Sequence, residues 1–526
     1  MRPCQHRGGA CCTPDEVSLT EYKHGDTHHN AGPAATRCEN GIGKLFESCV
    51  KAAGCNITAR HPTERSVVMI LYVCWPRSAT VPTKDDTTEH AAISLTSPAT
   101  HRDTGASQGS VPAIVLCNTV TGIATVRALA ESGVEVHACV FCEDDPLIAS
   151  RYAIKVACYH LQNDELGLVR FLIHYAQKLG NRPVLIPTGD AHALLLSKYA
   201  AELAPVCRIW QLPYSDLARV VNKTMLYEAA RAADVPTIPS LSAPTVDEVT
   251  EWSLEHPGPY ILKPSYEGIG TCKLRTKNLV LEGRDQLLSY VKSYGTESLV
   301  IQRMIRGGDG NIFDCYGLCD GNGRVVSLTS HHRIRQYPPN FGATSMGEIP
   351  APLPNREEQF LFAATERLFN RVRYHGIFGI EWLRDEKTGA FYLIDFNARP
   401  FLTIGHLRDC GVNLPLLAYR DLLGESLAAV NPRPAVKRKR WVYIRKDLDT
   451  FRMVRDTEQR LGTVQWLMSV ARCHSYAYLT WRDPMPGLLV LLRMMGRAII
   501  YALRAGKPQQ ETDTASSGAP ARSLPR

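Results

Sequence analysis

"GIFGIEWLRDEKTGAFYLIDFNARP" (residues 376–400) consists of two apolar runs on either side of "DEKTG". Apolar runs flanking a short turn sequence predict a β-hairpin. With the turn centred near Thr388, Glu381 and Asp395 are equidistant from it. Directly opposed residues share a face of the sheet. Asp395, Asn397 and Arg399 are each two residues apart, so they line one row. Two opposed carboxylates repel unless a cation or a proton lies between them. Asn397 extends the row with a neutral oxygen. A hard cation such as Mg2+ takes a few protein oxygens of this kind and leaves its other positions to water and phosphate. Arg399, further along, offers a fork for a carboxylate or phosphoryl oxygen. The competing reading is an exposed strand face with ordinary charges.

Upstream, "YILKPS" (260–265) is a short apolar strand that ends on Lys263. A lysine leaving a buried strand needs an anionic partner. The following "SYEGIG" carries Gly268 and Gly270, spaced so that backbone N–H groups can approach an anion. Lys223, in "VVNKTMLYEAA", stands near a helix start, where the helix dipole disfavours a cation. A bound phosphate accounts for it, and so does plain solvent exposure. "SLVIQRMIRGGDG" (298–310) is a strand running into a Gly-rich bend. Its Gln302 suits a purine edge, and Asp309 suits ribose hydroxyls. In "SHHRIRQYPPNFG" (330–342), alternation places His331, Arg333 and Arg335 on one face. Such a cationic row fits a multiply anionic substrate or the polyphosphate itself, with a solvated basic strand as the alternative.

The rest of the chain frames this region. Its 526 residues, 44% hydrophobic and 21% charged, are enough for several packed modules. "VPAIVLCN", "TGIATVRALAESG" and "VEVHACVF" read as strand, helix and strand, a βαβ opening. "FLIHYAQKLG" and "PVLIPTGD" continue the alternation, so 111–212 is expected to be a small doubly wound domain whose strand ends wall a ligand crevice. "NTVTGIAT" has one glycine and does not support a Gly-rich phosphate fingerprint. Residues 1–110 lack sustained periodicity; 76–110, rich in Ser, Thr, Pro and Asp, reads as a disordered linker, and 506–526 as a disordered tail.

The net charge is +8, and "RPAVKRKRWVYIRK" (433–446) holds seven of the basic residues. A solvated surface, an anionic membrane or a nucleic acid would each suit such a run. The absence of any recognition-module signature argues against nucleic acid. "GLLVLLRMMGRAIIYAL" (487–503) is interrupted by Arg493 and Arg497, four apart on one helical face. It predicts an amphipathic helix lying on a protein or membrane surface rather than a span; packing on the protein core is the leading reading and peripheral membrane contact through 433–503 the alternative. The 17 cysteines are an odd number, seven of them before residue 75, and no repeated paired spacing reads as a zinc site. Reduced thiols and a cytoplasmic location are expected, and the start "MRPCQHRGGACC" has no apolar core of a secretory signal.

Lys223, Lys263 with its Gly loop, "VIQRMIRGGDG", Glu381 and "IDFNARP" follow one another in an order that resembles the ATP-grasp superfamily over roughly residues 111–425. The likeness is greatest to the carbamoyl-phosphate-synthase-like and D-aspartate-ligase-like branch of carboxylate–amine ligases; "SRYAIKVAC" and "PVLIPTGDAHALLL" share it. The resemblance implies an α/β (α+β) protein with the ATP-grasp fold behind a doubly wound α/β domain. Residues 213–425 would hold a lid subdomain (about 222–302) and a large subdomain (about 303–425), with a basic, mostly helical region at 426–505. It implies that Lys223 and Lys263 hold the ATP phosphates, that Gly268 and Gly270 form a mobile lid loop, and that Gln302 to Met304 meet adenine. It further implies that Asp309 lies near ribose, that Glu381, Asp395 and Asn397 bind Mg2+ (with Mn2+ as an alternative ion), and that Arg399 steadies an acyl phosphate.

The chain departs from the family pattern in three places: Asp395 stands where Glu is usual, Arg303 where the hinge usually has Glu, and Asn222 where Asp is common. The implied activity is ADP-forming ligation of a small carboxylate to an amine through an acyl phosphate, on an amino acid or small peptide-like substrate, in a protein compatible with a homodimer. A phosphotransferase on the same fold and a non-catalytic, membrane-associated ATP-binding scaffold are the alternatives. A full carbamoyl-phosphate synthase would need two such halves, and one is present.

Overall fold

Residues 113–117, "AIVLC", are all buried, and their side chains alternate between two separate cores. The computed structural model describes residues 94–95, 111–265, 274, 278–305, 307–455, 457 and 461–505. The expectations for 1–75, the 76–110 linker apart from 94–95, Gly268, Gly270 and the 506–526 tail lie outside those residues. The first sheet contains β1 (Ser94–Leu95), β2 (Ala113–Cys117), β3 (Val136–Val140), β4 (Ile154–Ala157) and β5 (Val184–Pro187), in the order β1-β4-β3-β2-β5. β2 to β5 run parallel and β1 antiparallel on the edge. Ala113, Val115 and Cys117 pack with Ile123 and Val126 of helix α1 (Thr119–Ala130). Ile114 and Leu116 face the other way, toward Leu168, Leu172 and Ala176 of α2 (Glu165–Leu179). The sheet is therefore doubly wound, as the continuous apolar strands predict. The strand order reverses between β2 and β5, the place where an open α/β sheet leaves a crevice at its carboxyl ends. Asn118 follows β2 there, and Asp190 opens α3 (Asp190–Lys198) after β5.

The second sheet has β6 (Ser240–Ser242), β7 (Tyr260–Pro264), β8 (Leu279–Leu281) and β9 (Leu299–Arg303), in the order β6-β9-β7-β8. It follows α4 (Lys223–Ala232), whose N-terminus is capped by Asn222: the side-chain oxygen accepts from Met225 N at 3.2 Å. Helix α5 (Val246–Glu255) starts with a capping box between Thr245 and Glu248. It packs with α6 (Arg284–Tyr294) on the face that carries Tyr260, Leu262, Leu299 and Ile301. Because Ile261 pairs with Gln302, and Lys263 with Val300, the opposite face presents Lys263 and Gln302 together.

The third sheet has seven strands: β10 (Ile312–Cys319), β11 (Val325–Tyr337), β12 (Ala343–Ile349), β13 (Gly376–Arg384), β14 (Phe391–Asn397), β15 (Lys439–Val442) and β16 (Ser475–Tyr476). Their order is β14-β13-β10-β11-β12-β15-β16, antiparallel except for the last pair. Helix α7 (Asn355–Val372) buries Leu361, Thr365, Leu368 and Val372, a stripe at helical spacing, against this sheet. The C-terminal helices are α8 (Ile444–Val454), α9 (Thr463–Ala471) and α10 (Pro484–Ala505). Two buried ion pairs anchor this basic region. Arg335 grips Asp447 at 2.8 Å through two nitrogens, and Arg127 of α1 grips Asp483 at 3.0 Å. Ala91–Met495 form one compact unit.

Candidate active site

Glu381 and Asp395 pair directly across β13 and β14. The pairing depends on an irregularity. Nearer the turn, Trp382 pairs with Leu393 and Leu383 with Tyr392, so Ile394 is an extra residue bulged out of β14. Without that bulge Asp395 would slip by one position, and its side chain would turn to the other face. The Tyr227 hydroxyl donates to the Ile394 carbonyl at 3.0 Å. One turn earlier on the same helix, Lys223 Nζ lies 3.3 Å from Asp395 Oδ1. Helix α4 thus holds the bulge and the carboxylate with two side chains four residues apart. Lys223 is buried against Asp395, which settles its position in favour of a paired cation over a solvated one.

Tyr227→Phe leaves the Ile394 carbonyl without its donor. It should lower stability by about 1–3 kcal/mol, seen as an earlier urea midpoint with unchanged slope. An unchanged midpoint would show that the bulge holds itself.

Glu381 has its own cation: Arg333 Nη2 lies 2.7 Å from Oε1, which also accepts from Asn397 Nδ2 at 3.2 Å. Arg333 is buried and donates to both oxygens of Asp314, at 2.6 and 3.2 Å. His331 Nδ1 closes on the same Asp314 at 2.6 Å. Burial favours the neutral acid, but Arg333 and His331 hold Asp314 well below the usual carboxylate range. Burial works against the charge of Arg333 too, yet Asp314 and Glu381 outweigh it and hold it above its ordinary value. For His331 burial prevails and its affinity for a proton is lowered. Gly347 makes room for this ring, since a Cβ there would come within 2.2 Å of its Nε2.

The expected open row of His331, Arg333 and Arg335 is therefore corrected. β11 is irregular between Arg333 and Arg335, and the alternation breaks there. His331 is fully buried on Asp314, Arg333 is clamped between Asp314 and Glu381, and Arg335 turns to Asp447. None of the three stands as a free cation for a substrate. Asp309 is likewise engaged by protein: its oxygens accept from Gln336 N, Gln336 Nε2 and Asn340 N at 2.8, 3.0 and 2.6 Å. It ties the end of β11 and Asn340 beyond it together instead of presenting an open carboxylate to ribose. Met304 N–H is taken by Pro259 O at 2.8 Å, so that backbone donor is not available to adenine.

Arg399 reaches the leading domain. Its Nη2 donates to Asp190 Oδ2 at 2.8 Å, which brings the start of α3 to the end of the hairpin. Burial opposes the Arg399 charge, but Asp190, Asp395 and Glu381 outweigh it, and the guanidinium is held above its ordinary value. Asp190, Asp314 and Tyr227 were not singled out from the sequence. For Tyr227 the signal was its spacing of four from Lys223, and for Asp190 its place after "PVLIPTG" at a strand end.

Two carboxylates and an amide, all oxygen donors on one row, suit a hard divalent cation that keeps water and phosphate as its other ligands. The carboxamide of Gln302 is fully buried and lies beside the Tyr227 hydroxyl. On the face it shares with Lys263 it offers one donor and one acceptor, as a purine edge requires.

Residues 222–403 match the family described as carbamoyl-phosphate synthase L chain, ATP binding domain. The chain is 24% identical over 254 residues to D-aspartate ligase of Enterococcus faecium, covering 45% of this chain and 58% of that protein. It is 23% identical over 250 residues to the arginine-specific carbamoyl phosphate synthase large chain of Geobacillus stearothermophilus, covering 47% and 23%. The chain thus spans less than two thirds of the length of either relative. The ADP complex of N5-carboxyaminoimidazole ribonucleotide synthetase matches with a TM-score of 0.50 at 15% identity, over 64% of this chain and 82% of that one. That likeness concerns the fold.

Proposed function

We propose that this chain, whose residues 222–403 form an ATP-grasp domain, is an ADP-forming carboxylate–amine ligase. The observation that carries the reading is the paired Glu381 and Asp395, each already seated on a cation held by the protein. Glu381, Asp395 and Asn397 would hold Mg2+, or Mn2+ in its place, and the ion would offset charge on the phosphate oxygens. Lys223 and Lys263 neutralise the phosphates of ATP. A substrate carboxylate oxygen attacks the γ-phosphorus, the bond to the β-phosphate oxygen breaks, and an acyl phosphate and ADP result. An amine then attacks the acyl carbon, the carbon–oxygen bond to phosphate breaks, and the amine gives up a proton as the amide forms.

Arg399 would stabilise the acyl-phosphate oxygens, its fork held in one orientation by Asp190. The protein's part is positioning and charge neutralisation. The substrates we infer are an amino acid or a small peptide-like acid and a small amine.

The test is incubation of the full chain with Mg-ATP and pooled amino acids, followed by ADP and phosphate assays and mass spectrometry. ADP and phosphate released together with a condensation mass support ligation. A phosphorylated product without phosphate release replaces it with phosphotransfer. No ADP with any acceptor reduces the chain to a nucleotide-binding scaffold.

A further inference from the structure

The outward side of α10 is a second surface that the ligase reading leaves unused. One face of this helix is spent on the protein: Gly487, Val490, Leu491 and Met494 line a narrow cleft with Val442–Arg445 and Tyr476–Leu479. The approach is close, since a Cβ on Gly487 would come within 2.5 Å of Leu479. The opposite face carries Met485, Leu488, Leu492 and Met495, all exposed. Their spacing of three, four and three residues makes one continuous apolar stripe. Trp481, in the loop that leads into the helix, is 99% exposed. Helix α9, in the same region, exposes Val464, Leu467 and Met468. Scattered apolar residues on a surface are ordinary; an aligned stripe entered by a bare tryptophan marks an interaction surface.

The charge of the segment that carries the stripe is one-sided. Residues 426–505 contain fifteen basic and five acidic residues, and 484–505 contain no acidic residue at all. Of the five acids, Asp447 and Asp483 are buried in the ion pairs with Arg335 and Arg127. Beside the stripe, Arg482 lies 3.5 Å from Glu131 and is exposed, while Arg493 donates to the Asp144 carbonyl at 2.5 Å, lies 3.5 Å from its carboxylate and stays partly exposed. No helix among the described residues is long and apolar enough to cross a membrane.

We propose that this face docks in the plane of an anionic phospholipid surface. Met, Leu and Trp side chains would enter the headgroup boundary to a depth of roughly 5–10 Å while the arginines meet the phosphates. Trp481 has the amphipathic ring favoured at that boundary. A second copy of this chain fits less well, because a two-fold contact through the stripe would set one arginine-rich surface against another.

Cosedimentation of the full chain with vesicles tests this. Vesicles of phosphatidylcholine containing one quarter phosphatidylserine should bind at least about tenfold more tightly than phosphatidylcholine alone, and binding should weaken with salt. Leu488→Glu with Leu492→Glu should remove at least about tenfold of that binding and leave thermal unfolding unchanged. Trp481→Ser, outside the helix, gives the same readout if the double variant is destabilised. Failure to bind either vesicle, or equal binding by the variants, overturns the proposal. So does a concentration-dependent dimer that the double variant dissolves without any lipid effect.

Discussion

Asp395→Asn should lower ADP release by at least on the order of a hundredfold. The substitution keeps the shape, removes one of two negative charges and turns one acceptor oxygen into an NH2 donor. Asp395 lies directly across from Glu381, and Lys223 Nζ is 3.3 Å away. Without the aspartate charge the row holds a single carboxylate, and that one already carries Arg333. The cation affinity of such a site follows the number and charge of its oxygen ligands. Raising Mg2+ should therefore restore part of the lost rate in Asp395→Asn, and the concentration for half-maximal rate should move upward. Lys263→Ala should lower the rate as well, but without that displacement, because it acts on phosphate. Steady-state ADP release at several Mg2+ concentrations separates the two. A rate in Asp395→Asn equal to that of the parent protein would remove the hairpin from the catalytic site.

How far the sequence revealed this site depends on how local each feature is. The pairing of Glu381 with Asp395 follows from counting outward from Thr388, yet the count succeeds for a reason the sequence conceals. The strand pairs next to the turn are centred half a residue earlier, and the Ile394 bulge restores the register. A bulge stabilised by Tyr227, a side chain 167 residues away, leaves no periodic trace. The same blindness misplaced the cationic row. Alternation is sound from His331 to Arg333, and the irregularity after Arg333 turns Arg335 to Asp447. The leading domain was easier to read because continuous apolar strands and helical spacing are local signals. Its contribution to the site, Asp190 on Arg399, is a contact across 209 residues, beyond the reach of local pattern. The basic C-terminal run read as surface or interface. Two of its acids in fact serve as buried anchors that join it to β11 and α1.

Arg333→Met should cost about 3–5 kcal/mol, the larger of the two stability effects expected of this site. Asp314 is completely buried and relies on Arg333 and His331 to stay ionised. Removing the guanidinium leaves a carboxylate in low dielectric with a histidine whose own proton affinity is lowered by burial. The double substitution Arg333→Met with Asp314→Leu removes both charges and should recover most of the loss, as replacing a buried ion pair by apolar groups often does.

The pH dependence supplies a sign. The folded-state pKa of Asp314 lies below its unfolded value, so its stabilising share is present above the ordinary carboxylate range. That share is lost as pH falls through the folded value. In Arg333→Met burial raises the Asp314 pKa instead, so the variant's deficit is widest near neutrality and narrows as acid protonates the carboxylate. Turnover separates the roles further. Glu381 loses its cation in the single and the double variant alike and keeps only Asn397, so the double variant should regain stability without regaining ADP release. Recovery of both together would mean that Arg333 acts on the fold alone and that Glu381 keeps its place without it.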